Sequence, residues 1–138
     1  MSCILVVILT YNPSHYLLKF VTDLAKIDVK YIIVVNDGSS SDYNSIFELI
    51  SSISKYIVIT IDSNKGKGFA LKLGLKHINN NLSDVTTIVT AEADVHHSIK
   101  DIFNVAHKYT RYLNTLVLGI RDFTVNLLVF GYKWLLST

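Results

Sequence analysis

The chain has 138 residues, of which 50% are hydrophobic, and it carries a formal net charge of +2 at pH 7. This length and this hydrophobic content predict one compact domain with a substantial core, and they exclude a disordered chain. The small net charge gives no reason to expect nucleic acid as a partner. A single cysteine excludes a disulfide within the chain and is compatible with a reducing compartment.

The first third of the chain contains two apolar runs with an amphipathic segment between them. Residues 3–10 form a continuous apolar run, typical of a strand that is buried on both faces of a parallel sheet. Asn12 is expected to cap the following helix, with Pro13 at the first helical position, where a missing N–H has no cost. Residues 31–35 predict the second strand. The apolar positions of the helix recur at helical spacing: Leu17, Leu18, Val21 and Leu24.

Further strands and helices follow the turn segment at residues 36–42. Asp42 is a candidate cap for the second helix, and residues 56–61 predict the third strand. The polar loop at residues 62–68 leads into a third helix, which the polar residues 79–81 are expected to end. The predicted core positions are Ile46, Leu49, Ile50 and Ile53 in the second helical segment, and Ala70, Leu71, Leu73 and Ile78 in the third.

The remaining residues predict a fourth strand from Thr86, a helix beginning near Ile99 and a fifth strand at residues 116–120. The apolar tail at residues 123–138 can form a strand or a helix on the sheet, or an exposed surface for a membrane or another subunit. No segment reaches the roughly 20 apolar residues of a membrane-spanning helix. The alternation of strands and helices predicts a three-layer α/β domain with a mainly parallel sheet, and ligands at the C-terminal ends of its strands.

Two carboxylates, Glu92 and Asp94, stand one residue apart where the fourth predicted strand ends. Alternate residues of an extended chain point to the same side, so both carboxylates can reach one cation. Hard oxygen ligands suit Mg²⁺ or Mn²⁺, and a substrate diphosphate could supply the remaining ligands. The pair therefore predicts a metal site for a nucleotide-type substrate, with a solvated surface loop as the alternative.

Lysines and glycines alternate before the third predicted helix, as Lys65, Gly66, Lys67 and Gly68. Glycine allows a ligand to approach the backbone, while lysine and the helix N-terminus both supply positive charge. This combination indicates a phosphate-binding loop, although a flexible surface turn has the same composition. Polar groups follow every apolar run in this way, which predicts one shared site at an edge of the sheet.

The order of these polar groups resembles family 2 glycosyltransferases with the GT-A fold, and most closely the branch of dolichol-phosphate mannose synthase. The segments that carry the resemblance are 10–12, 35–40, 64–68, 91–94 with His97, and 119–121. They span residues 4–122 of a single domain that covers residues 1–138 and looks truncated at its C-terminus beside the family. The resemblance implies a UDP- or GDP-sugar donor, a divalent metal, inversion at the anomeric carbon and a role in cell-envelope or glycolipid biosynthesis.

The resemblance assigns the nucleotide to residues that follow the first and second strands. The pocket would comprise Thr10, Tyr11 and Asn12, together with Asp37 and Gly38. Asp37 is expected to contact the base or the ribose. A turn or helix-cap aspartate is the alternative interpretation of that residue.

The resemblance places the segment 65–68 near the nucleotide or the diphosphate. Arg121 is expected to contact the diphosphate or a lipid phosphate, because arginine binds phosphate oxygens in a bidentate manner. Asp94 would be the direct metal ligand, and Glu92 stands where the family usually has aspartate. No catalytic base is identified: Asp122 lies near the expected site, but its spacing alone does not assign that role.

The expected partners are a nucleotide-diphosphate sugar, a polyprenyl phosphate acceptor, and a membrane or a second copy of the chain at the apolar tail. The expected location is the cytoplasm, either free or at the cytoplasmic face of a membrane. Two alternatives remain open. A truncated or degenerate GT-A domain would bind nucleotide or a partner without catalysis. A nucleotidyltransferase or a dinucleotide oxidoreductase ranks last, because no glycine-rich fingerprint follows the first strand.

Overall fold

The structure, a computed structural model, describes residues 4–82, 84–85, 87–91, 99–100 and 104, and the backbone of residues 92, 117–120 and 126–131. Within these residues, strands and helices alternate through the first four strands, and a pair of strands follows. The strands are β1 (Ile4–Thr10), β2 (Tyr31–Asp37), β3 (Tyr56–Ile61), β4 (Thr87–Glu92), β5 (Val117–Ile120) and β6 (Asn126–Gly131). The helices are α1 (Tyr16–Leu24), α2 (Asn44–Ser51), which follows a 3₁₀ turn at Ser41–Tyr43, and α3 (Lys67–Asn81).

The strands form one sheet in the order β3-β2-β1-β4-β6-β5. The first four strands are parallel, while β6 is antiparallel to both β4 and β5. From β1 the chain builds the sheet in one direction through β2 and β3, and then returns to add β4 on the other side of β1. Strand order therefore reverses between β1 and β4, and a crevice at the C-terminal ends of the strands is expected at such a point.

Alternating residues of the central strands face two different helical layers. Val6 and Ile8 of β1 pack in the cluster that contains residues of α1 and α2. Leu5 and Val7 pack in the cluster that contains residues of α3. Helix α3, which connects β3 to β4, therefore lies on the face opposite α1 and α2. This placement allows all the crossovers between parallel strands to have the same hand. The predicted three-layer α/β domain with a mainly parallel sheet is confirmed.

The central strands are apolar because both of their faces are covered. Residues 5–8 of β1 and residues 32–35 of β2 are entirely buried, as expected for parallel strands between two layers of helices. Gly74 brings α3 close to these strands, since a Cβ there would lie 3.3 Å from Val35 Cγ2 and 3.4 Å from Val7 Cγ1. This close packing fixes the position of α3 against the middle of the sheet.

Tyr56, the first residue of β3, lies at the end of the sheet where the parallel strands begin. The Tyr56 hydroxyl donates a hydrogen bond to the Val21 carbonyl of α1, and the side chain is buried.

Ile99 packs against the same cluster as α1 and α2. No helix within the described residues is both long enough and apolar enough to cross a membrane.

The start of α1 corrects one prediction. The helix begins at Tyr16, and Asn12 and Pro13 lie before it. Asn12 has φ +44°, a left-handed backbone conformation, and it does not cap the helix. Strand β2 is also longer than predicted, since its register with β1 and β3 continues through Asn36 and Asp37.

The predicted boundaries and faces of α2 and α3 also need correction. Asp42 lies in the 3₁₀ turn before α2 and is not a helix cap. Leu49 is 54% exposed, whereas Phe47 is buried in its place. Residues 79–81, predicted to be a linker, form the last turn of α3. In the apolar tail, Asn126–Gly131 forms a strand paired with β4 and β5, which agrees with the strand alternative there.

Candidate functional site

The loops that follow β1 and β2 are joined by hydrogen bonds from Asn12. The Asn12 N–H donates to Ser39 Oγ at 2.9 Å, and the Ser40 N–H donates to Asn12 Oδ1 at 2.9 Å. Asparagine adopts the left-handed conformation at small cost, so Asn12 can turn the chain and keep both bonds. The end of β1 is therefore held against the end of β2.

Asn36 shapes the turn after β2 from inside the protein. The Ser39 N–H donates to Asn36 Oδ1 at 3.0 Å, and Asn36 is only 3% exposed. A side-chain amide that accepts from the backbone three residues later stabilises a tight turn. This turn presents Ser39 and Ser40 to Asn12.

Asp37 joins the end of β2 to the start of α3. The Lys65 N–H donates to Asp37 Oδ1 at 2.9 Å, and the Gly66 N–H donates to Asp37 Oδ2 at 3.0 Å. The Asn64 side-chain amide donates to the Asp37 carbonyl at 3.3 Å. Gly66 is the N-cap residue of α3, so the carboxylate also lies where the helix dipole is positive. Asp37 is 5% exposed, and these hydrogen bonds agree with the alternative interpretation of a structural aspartate, with the loop before α3 as its partner.

Gly38 allows two loops to cross in contact. Its φ is +70°, and a Cβ at this position would lie 2.2 Å from the Asn64 backbone nitrogen and from the Ser63 carbonyl carbon. No side chain fits at such distances. The loop before α3 therefore lies directly against the end of β2.

The segment 65–68 presents the N-terminus of α3 to solvent. Gly66 has φ +95°, and none of the described neighbouring residues places an atom within 4 Å of a Cβ at either Gly66 or Gly68. Lys65 and Lys67 are exposed, and Lys65 Nζ lies 5.2 Å from the ring centre of Phe69. The first N–H groups of a helix have no partner within the helix, so this arrangement suits an anionic group such as phosphate.

Thr10 ends β1 with a buried hydroxyl. The residue is 6% exposed, and its Oγ1 has no hydrogen-bond partner among the parts of the chain that are described. An unpaired buried hydroxyl costs about 1–3 kcal/mol, and such groups in a folded protein call for an explanation. Tyr11 follows with its side chain 53% exposed at the same edge.

The fourth strand brings the acidic segment to this edge. Glu92 is the last residue of β4 and pairs in register with Leu9, one residue before Thr10. Asp94, His96, His97, Arg121 and Asp122 lie outside the described residues, so the predicted metal site remains a prediction. Among the residues described, no group of three or more histidine, cysteine, aspartate or glutamate side chains could hold a metal ion.

The structure thus brings most of the predicted nucleotide residues to one edge of the sheet. Residues 10–12, 37–38 and 65–68 follow β1, β2 and β3, and they are connected through Asn12 and Asp37. Sequence reasoning did not assign roles to Asn36, Ser39 or Ser40, although the turn composition Asn-Asp-Gly-Ser-Ser contained the signal. A cavity of about 320 Å³ between α2 and β3 includes Asn36 but none of the predicted ligand-binding residues.

A protein-family model described as glycosyl transferase family 2 matches residues 5–129 of the chain. No curated protein sequence matches the chain at a significant level. Among solved structures, S. aureus TarS 1-349 superposes with a TM-score of 0.68 at 14% identity, covering 98% of this chain and 48% of that one. The chain therefore spans about half the length of that protein. A complex of TarS 1-349 with UDP-GlcNAc superposes with a TM-score of 0.61 at 20% identity, covering 80% and 32% of the two chains.

A further similar structure is that of a different enzyme. It is a 4-diphosphocytidyl-2C-methyl-D-erythritol synthase from Anaerococcus prevotii DSM 20548, with a TM-score of 0.66 at 12% identity, covering 99% of this chain and 73% of that chain. At these identities the likenesses establish the fold alone.

Proposed function

Because the chain belongs to glycosyl transferase family 2, we propose that it binds a nucleotide-diphosphate sugar at the C-terminal edge of β1, β2 and β4 and transfers the sugar to an acceptor. The observation that carries the proposal is the set of hydrogen bonds from Asn12 and Asp37, which holds three loops and the N-terminus of α3 at that edge. A preorganised edge of this kind suits a ligand with a nucleoside at one end and phosphates at the other.

The nucleoside end is assigned to Thr10, Tyr11, Asn12 and Asp37. Thr10 offers a buried hydroxyl, and Tyr11 offers an exposed ring. Each carboxylate oxygen of Asp37 accepts one backbone hydrogen bond and has capacity for another, so the residue can contact the base or ribose while it holds the loop. A UDP-sugar is the first donor to test, because UDP-GlcNAc is the ligand in the TarS complex; a GDP-sugar is the second.

The phosphate end is assigned to the N-terminus of α3 and to Arg121. Gly66 and Gly68 leave space beside the backbone, and Lys65 and Lys67 supply positive charge. Arg121 is assigned to the diphosphate or to a lipid phosphate. These groups would stabilise the diphosphate as it departs, since charge develops there in the transition state.

The carboxylates of Glu92 and Asp94 would hold Mg²⁺ or Mn²⁺, with Asp94 as the direct ligand. The donor set fits these ions, because both residues offer hard oxygen ligands. A bound ion would neutralise the negative charge that develops on the leaving diphosphate.

Transfer is proposed as a single displacement with inversion. The acceptor oxygen forms a bond to the anomeric carbon, the bond from that carbon to the diphosphate oxygen breaks, and the diphosphate leaves with the electron pair. A polyprenyl phosphate suits this step, because its attacking oxygen is already anionic at neutral pH and needs no general base. A hydroxyl acceptor would need a base, for which Asp122 is the candidate.

A second candidate function is nucleotide or partner binding without transfer. One observation favours it: glutamate stands at position 92 where the family usually has aspartate. The larger side chain could displace the metal or the nucleotide from the reactive position.

Titration calorimetry of UDP and GDP, each with and without Mn²⁺, tests the binding half of the proposal. We expect binding that requires the metal and that weakens about tenfold or more in Asp94→Ala. The matched control is Asp28→Ala, an exposed aspartate between α1 and β2, which should bind like the wild type. Undiminished metal-dependent binding in Asp94→Ala would refute the metal role, and absence of binding to either nucleotide would refute the proposed site.

An assay for transfer separates the two candidate functions. The wild type is incubated with UDP-GlcNAc, Mn²⁺ and a polyprenyl phosphate, and the glycolipid product is measured. Product that disappears in Asp94→Ala supports the transferase. Metal-dependent nucleotide binding without product from UDP- or GDP-sugars would support the binding function instead.

A further inference from the structure

The outer face of α3 carries basic side chains that the proposed function does not fully use. The helix buries Ala70, Gly74 and Ile78 against the sheet. Phe69, Lys72 and Lys76 are exposed, and at 3.6 residues per turn they lie on the opposite side of the helix. Lys65 continues this surface, because its Nζ lies over the Phe69 ring. We call Lys65, Phe69, Lys72 and Lys76 the basic face.

Charge is distributed unevenly between the two sides of the sheet. Residues 63–83, which contain α3, include four lysines and no acidic residue. Residues 14–62, which contain α1 and α2, include four lysines and six acidic residues. Helix α3 lies on one side of the sheet, and α1 and α2 lie on the other, so the segment with α3 is basic and the segment with α1 and α2 is mildly acidic.

The lysines of the two sides also differ in their partners. On α1, Lys19 lies 3.5 Å from Asp23, and Lys26, just beyond that helix, lies 3.4 Å from the same residue. Among the described residues, neither Lys72 nor Lys76 forms an ion pair. The positive charges of Lys72 and Lys76 are thus not compensated by acidic side chains among the described residues, and they are complementary to an anionic surface.

The basic face combines charge with apolar contact area. Phe69 is 45% exposed, and Leu73 and Leu75 flank the lysines as half-buried side chains. A convex helix with exposed lysines beside an aromatic ring fits the interface of a bilayer, where the ring can enter the headgroup region. Proteins that bind single-stranded nucleic acid instead use a basic groove with stacking aromatic residues. We therefore propose that the basic face docks the protein on an anionic phospholipid surface.

Partition onto vesicles tests this proposal without reference to nucleotide or sugar. The full chain is sedimented at low salt with vesicles of phosphatidylcholine, either pure or containing roughly 30 mol% phosphatidylglycerol. We expect the wild type to bind the anionic vesicles about a hundredfold more strongly than the neutral ones, since the three lysines of the basic face each contribute about fivefold. The double variant Lys72→Gln/Lys76→Gln should bind them about thirtyfold more weakly, since each lysine near the surface contributes about fivefold. Lys65 is not changed, because it is also assigned to the nucleotide site.

The matched control is Lys19→Gln/Lys26→Gln, which removes the same net charge from the other side of the sheet. It should change the partition coefficient less than about twofold. Equal losses in the two double variants would overturn the proposal, because net charge would then explain the binding. The proposal would also be overturned if the wild type did not sediment with anionic vesicles, whether or not it bound a short DNA duplex.

Discussion

The carboxylate of Asp37 accepts the backbone N–H of Gly66, the N-cap residue of α3, at 3.0 Å. Strand β2 and helix α3 are separated by a complete strand and helix in the chain, yet this bond fixes the end of one to the beginning of the other. The Asp37 side chain therefore helps to hold the N-terminus of α3 at the candidate site.

Asp37→Asn should destabilise the protein while leaving side-chain volume unchanged. The amide retains one acceptor but places an NH₂ group against a backbone donor, so one part-buried N–H loses its partner. We expect a loss of about 2–3 kcal/mol in the free energy of unfolding, measured with urea. The control Asp42→Asn changes an exposed residue of the 3₁₀ turn and should cost little. Equal effects of the two substitutions would contradict the structural role of Asp37.

Gly38→Ala and Gly68→Ala should have opposite effects on stability. A Cβ at Gly38 would overlap backbone atoms at 2.2 Å, so we expect a loss of about 3 kcal/mol or more. A Cβ at Gly68 meets no atom within 4 Å, and alanine should stabilise the first turn of α3 by up to about 1 kcal/mol. Thermal and urea unfolding of both variants measure the difference.

The same Gly68→Ala variant tests the phosphate assignment. If a diphosphate approaches the backbone at the start of α3, the added methyl group should weaken UDP binding in calorimetry although the fold is more stable. Unchanged affinity in a stabilised variant would argue that the diphosphate binds elsewhere.

Thr10→Val should separate stability from binding. The methyl group replaces a buried hydroxyl without a described partner, so we expect the unliganded protein to gain about 1–2 kcal/mol in the free energy of unfolding. Nucleotide affinity should fall, because the hydroxyl is assigned to the ligand. A loss of stability in Thr10→Val would show that the hydroxyl has a partner within the protein.

Tyr56 should make stability sensitive to alkaline pH. Burial raises the pKa of the Tyr56 phenol well above its ordinary value, because the ionised form would lose its hydration. The folded protein therefore holds this proton when the unfolded chain has released it. The contribution of Tyr56 is complete below pH about 10 and falls by about 1.4 kcal/mol per pH unit above it.

Tyr56→Phe should remove that part of the pH dependence. The variant also loses the hydrogen bond to the Val21 carbonyl, which should cost about 1 kcal/mol at neutral pH. Urea unfolding between about pH 7 and about pH 11, a range that includes the ordinary tyrosine pKa, measures both effects. Parallel pH profiles for the variant and the wild type would contradict the assignment.

Apolar periodicity was sufficient to predict the layers of the fold but not the contacts between its loops. Residues 4–10, 31–35 and 56–61 are strands as predicted, because a continuous apolar run is typical of a parallel strand that is covered on both faces. Asn12 carries the sequence signature of a helix cap, yet its amide bonds to Ser40, 28 positions away. A partner so distant in sequence cannot be identified from local composition.

Element boundaries were misplaced where neighbouring strands or turns decide them. Strand β2 continues to Asp37 because Thr10 of β1 pairs with Asn36, and Ile61 of β3 pairs with Asp37. The 3₁₀ turn at Ser41–Tyr43 shifts the start of α2, so Phe47 faces the core and Leu49 faces solvent. In the last turn of α3 the Asn81 side chain donates a hydrogen bond to the His77 carbonyl at 2.9 Å. The polar composition of residues 79–81 predicted a linker instead, because it gave no sign of this local bond.

Because β6 lies between β4 and β5, the strands of this part of the sheet cannot assemble in the order in which they are synthesised. Among the strands that the structure describes, β5 pairs with β6 and with no other, although β5 comes first in the chain. A nascent chain that ends before residue 126 therefore offers β5 no place in the sheet, and residues 117–120 must wait for a later segment to leave the ribosome. During that interval the β4 edge is unpaired, and an unpaired parallel strand edge is exposed to aggregation.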